Sequence, residues 1–110
     1  MGTYVKAIKF TAAAGKQKYA AHSEQIAESE SGKVVAIRLT ASTITSGKTV
    51  TAELMVGNKT VAQLSINVES ALAKELVVDF DFPANEYFSV ITTSDDTSDV
   101  TVWMELVIQQ

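Results

Sequence analysis

The chain has 110 residues, enough for one small domain and too few for a second core. Nine Lys and Arg against thirteen Asp and Glu leave a net charge of −4, and the absence of cysteine rules out disulfides and Cys-ligated zinc. An apolar fraction of 46% excludes a disordered tail, and no apolar run approaches the ~20 residues of a membrane-spanning helix.

Val, Ile and Thr make up 32 of the 110 residues. Such side chains are stiff at χ1 and pack well on a pleated surface, so the composition predicts an all-β domain. Tyr4, Ile8 and Phe10 predict a first strand over Thr3–Phe10, and a weaker one follows over Gln17–Ala21. The stretch from Ala21 to Gly32, with Ser23, Glu24, Gln25, Glu28, Ser29, Glu30 and Ser31, reads as a polar surface loop or one helical turn.

From Lys33 the alternation becomes regular. Val35, Ile37, Leu39 and Ala41 share one face, with Val34, Ala36, Arg38 and Thr40 on the other. After a Ser/Thr-rich link and a turn at Ser46-Gly47-Lys48, Val50, Ala52, Leu54 and Val56 line the next strand, and Ala62, Leu64, Ile66 and Val68 the one after. Gly57-Asn58 between those two runs is a tight hairpin signal, because its central positions call for positive φ. Leu76, Val78, Phe80 and Phe82 alternate with Val77, Asp79 and Asp81 until Pro83-Ala84-Asn85 breaks the run. A strand over Tyr87–Thr93 and a polar loop at 94–99 lead into the last strand. There Val100, Val102, Met104, Leu106 and Ile108 share a face opposite Thr101, Trp103, Glu105, Val107 and Gln109. About eight short antiparallel strands in this length suit a two-sheet sandwich, jelly-roll or Greek-key.

Charge divides unevenly along the chain. Residues 1–55 hold seven basic and four acidic groups, residues 56–110 two basic and nine acidic. The lysines Lys6, Lys9, Lys16 and Lys18 precede the first carboxylate, Glu24. They fit a basic arm that docks on an acidic surface, or charges that protect a leading edge strand from aggregation.

Chemistry-bearing patterns are sparse. His22 is the single histidine, no Ser sits in a Gly-x-Ser-x-Gly elbow, and an orienting third group for a triad cannot be named. The chain is therefore read as non-enzymatic and without cofactor. Asp95, Asp96 and Asp99 share one loop and are weak calcium candidates. They lack the EF-hand glycine and terminal Glu, so a solvated acidic turn is the plainer reading. An acidic chain with no basic stripe among its aromatics disfavours nucleic acid. Lys6 stands where a myristoylation signal wants Ser or Thr, so no membrane anchor is expected. The absence of a secretory signal fits assembly in a host cytoplasm. Trp103, opposite in parity to the core set, is expected in a second layer of core. If exposed, it would anchor a subunit interface, with Val107 on its face, or stack against a glycan.

The run 33–42, followed by Val50 to Ala62 with its Gly57-Asn58 hairpin and by Val100-Thr101-Val102-Trp103-Met104, resembles small β-sandwich domains of bacteriophage structural proteins. The likeness covers residues 32–108, although the hairpin here reads Gly-Asn rather than Asn-Gly. It implies a virion component, such as a capsid decoration, head-fibre, neck or tail module, that works by homo-oligomer or lattice assembly. Residues 1–31 fall outside the likeness and would be part of the same domain or an attachment arm. A carbohydrate-binding or adhesion module is the alternative.

Overall fold

The computed structural model describes residues 2–15, 17–68 and 72–110; Lys16, one of the interface candidates, lies outside them. Eight strands follow one another as β1 (Thr3–Ala12), β2 (Tyr19–Gln25), β3 (Gly32–Ala41), β4 (Val50–Val56), β5 (Lys59–Ile66), β6 (Ala73–Phe82), β7 (Tyr87–Ser94) and β8 (Val100–Gln109). They form two antiparallel four-stranded sheets, β1-β8-β3-β6 and β2-β7-β4-β5. This strand order is that of a jelly roll, in which successive strands alternate between stacked sheets except at the β4–β5 hairpin.

The core lies between the sheets and is built by period-2 alternation. On β8 all five of Val100, Val102, Met104, Leu106 and Ile108 are buried, as the sequence pattern predicts. On β3 the parity changes. A bulge between Val34 and Ala36 places Val34 in the core with Ile37 and Leu39 and leaves Val35 half-buried. One extra residue reverses every side chain beyond it, so uninterrupted alternation assigns Val34 to the wrong face. Gly32 opens β3 where a Cβ would clash with the Gln109 carbonyl oxygen, so this residue lets β3 lie close to β8.

Two further differences come from tertiary packing. β2 extends to Gln25, and Ile26 immediately after it is fully buried. Its N–H donates to the Glu86 carbonyl at 2.8 Å, and its own carbonyl accepts from Asn85 N–H at 2.9 Å. The polar loop expected over 21–32 is thus partly a strand, followed by a single 3-10 turn at Glu28–Glu30. In the hairpin, only Gly57 has positive φ, at 60°, and Val56 pairs with Lys59 across the two-residue loop. That fits a turn with glycine at its first central position.

Candidate interaction surface

The outer face of the β1-β8-β3-β6 sheet carries residues in rows, because antiparallel partners share a face. One row runs Val5, Val107, Ala36 and Val77, all apolar, across all four strands. Val77 is 82% exposed and Val5 45%, while Val107 and Ala36 are half-buried. Strands spaced about 4.8 Å apart make this a stripe about 14 Å long between its end residues.

The adjoining row is Ala7, Glu105, Arg38 and Glu75. Arg38 Nε donates to Glu75 Oε2 at 2.7 Å and a terminal guanidinium nitrogen lies 3.8 Å from Glu105 Oε1. The hydrogen bond from Glu75, with its charge and that of Glu105, raises the Arg38 pKa further above its ordinary value. The next row is Lys9, Trp103, Thr40 and Ala73. Trp103 is 40% exposed rather than covered by a second layer, and Lys9 Nζ sits 5.9 Å from its ring centroid. On the far side of the apolar stripe lie Thr3, Gln109, Lys33 and Asp81.

The N-terminal lysines separate in the fold. Lys9 lies on the outer face, whereas Lys6 has the parity of Ile8 and Phe10 and turns inward, its side chain 11% exposed. Its Nζ lies 2.9 Å from both Glu24 and Glu30, 5.9 Å from the Phe88 ring centroid, and Glu30 also accepts from the Tyr4 hydroxyl at 3.1 Å. Burial alone would lower the Lys6 pKa, but its hydrogen bonds to the two carboxylates hold it above the ordinary value. Burial likewise favours a neutral Glu24, yet Lys6 and His22 hold its pKa below the ordinary value. The Glu30 hydrogen bond raises the Tyr4 pKa. An inward-facing charge of this kind is a known guard for an edge strand. Lys18 remains 75% exposed and lies 3.8 Å from Glu53.

His22 is committed to the same cluster, its Nε2 2.7 Å from Glu24 and its ring packed against Phe88. The acidic loop at the opposite end of the molecule ties other connections down. Asp95 Oδ1 accepts from Thr49 N–H at 2.7 Å, Asp99 Oδ1 from Ala14 N–H at 2.8 Å, and buried Asp96 from the N–H groups of Thr45 and Ser98. Backbone donation from Thr45 and Ser98 depresses the Asp96 pKa. The three carboxylates thus face different partners, and no group of three or more metal-ligating side chains converges among the described residues.

No protein-family model matches the chain, and no curated protein matches it. Sequence reasoning marked Trp103 and Val107, and the rows bring both onto one face with Lys9. It passed over Val5, Val77, Arg38 and Glu105, whose alignment depends on pairing between distant strands. The parity of each within its own strand was the only available signal.

Proposed function

We propose that the protein is a non-enzymatic structural module that works by assembling with copies of itself, as a component of a bacteriophage virion. The observation that carries this reading is the apolar stripe Val5, Val107, Ala36 and Val77, with Val77 left 82% exposed. Exposed valines aligned across a sheet face are costly to leave in water and are relieved by a contact. The single imidazole bonds to Glu24, a carboxylate that Lys6 also engages, so the pair belongs to the cluster that closes the β1–β2 side. The sequence likeness to phage β-sandwich domains supports the virion setting. Light scattering on the eluting protein should give a mass above one chain, and the protein should be found in purified particles. A clean monomer at high concentration would overturn the reading.

The 40% exposure of Trp103 supports a glycan-binding alternative. That reading requires Trp103→Ala to abolish binding on a glycan array, and an array without hits dismisses it.

A further inference from the structure

Resting on that assembly reading, the geometry points to a particular contact: a face-to-face homodimer of the β1-β8-β3-β6 sheet, with its two-fold axis parallel to the strands between β8 and β3. The row order decides the orientation. Such an axis lays β1 over the partner's β6 and β8 over the partner's β3, keeping each row opposite itself. Val5 then meets a second Val77, and Val107 meets a second Ala36, so the apolar stripe closes on itself. In the next row Glu105 meets a second Arg38, twice by symmetry, giving a ring of alternating charge at the axis. The large Trp103 falls opposite the small Thr40, and Lys9 opposite Ala73.

The other in-plane two-fold axis, along the stripe, fails on charge. It would set Lys33 against a second Arg38 and Asp81 against a second Glu75, and like charges opposed across a contact cost affinity. Either axis stacks two twisted sheets with aligned strands, the packing in which such sheets lie about 10 Å apart at about −30°, so charge makes the choice. The face of four strands and four rows projects to roughly 500 Å² a side, or about 1,000 Å² for the pair. That is the size at which a specific contact begins, and it suits a reversible dimer.

The test is sedimentation equilibrium on wild type and four variants, with circular dichroism to verify that each is folded. Val77→Asp and Arg38→Glu should each weaken dimerisation about tenfold or more. Glu105→Arg should do the same, whereas the double swap Arg38→Glu with Glu105→Arg should recover most of the loss. Because the chain lacks cysteine, a bis-maleimide of about 10 Å reach can then fix the orientation. Val5→Cys mixed with Val77→Cys should cross-link, and Val5→Cys alone should not. Self-association that ignores Val77→Asp and the charge changes, or equal cross-linking of Val5→Cys to itself, overturns this contact and leaves the assembly reading standing. A wild type that stays monomeric overturns both.

Discussion

The sandwich has two long open sides, and they are closed by different means. On the β1–β2 side, Lys6 reaches in from β1 to Glu24 and Glu30, with Tyr4 and His22 completing a polar seam over the buried Phe88 ring. On the β5–β6 side, Lys74 sends its Nζ 3.2 Å from the Ser65 carbonyl oxygen. Beyond it β6 stays exposed from Ala73 to Val77. Phe80 is only half-buried there, beside an open groove of about 650 Å³ that Val61, Asp79 and Asp81 also line. Both edge strands of the first sheet thus turn a lysine inward, which discourages edge-to-edge pairing. Among the described residues only Lys6 of these two meets carboxylates, and that difference separates a sealed side from an open one.

The comparison breaks most readily at the aromatics beneath the two seams. Phe88→Ala should cost about 3–5 kcal/mol, since the ring is fully buried and packs 5.3 Å from Phe82. Phe80→Ala, on the open side, should cost about 1–2 kcal/mol. Urea titrations of the two variants measure the difference, and equal losses would mean that the open side is closed in solution.

The lysines give the next effect. Lys6→Met leaves two carboxylates near one another without their cation and should cost about 1–2 kcal/mol, allowing for solvent screening at the rim. Lys74→Met should stay within about 0.5 kcal/mol.

The Lys6 effect should also depend on pH. The depressed Glu24 pKa adds stability that is present above its unfolded value near 4.5 and lost as pH falls through the lower folded value. The raised Lys6 pKa adds stability that is fully present below its unfolded value near 10.5 and lost as pH rises through the higher folded value. The gap between wild type and Lys6→Met, followed as urea midpoint against pH, should therefore form a plateau that narrows at both flanks. A gap that persists into acid would mean that packing of the lysine stem, not its charge, closes the seam.

The smallest expected effect is none. Millimolar calcium should leave the melting temperature unchanged, because Asp95, Asp96 and Asp99 each accept from backbone amides. A rise would place an ion on that loop.

Period-2 patterning was enough to read the all-β class, the two-sheet sandwich and the inward face of β8. A strand that buries one face must alternate, and alternation needs only local sequence. The Gly57-Asn58 hairpin was legible for the same reason. On β3 the pattern held for Ile37, Leu39 and Ala41 but not for Val34 and Val35, because a bulge is one residue that changes pairing partners without changing composition. Ile26 was equally hidden, being a single apolar residue among polar neighbours whose burial depends on Glu86 and Asn85 from a distant turn. The inward turn of Lys6 and the outward turn of Lys9 follow from the alternation of β1 itself. Tertiary structure alone decided that Lys6 meets Glu24 and Glu30, and that Val5, Val107, Ala36 and Val77 form one stripe. The sequence holds each strand's alternation, but rows across a sheet exist only once long-range register brings the strands side by side.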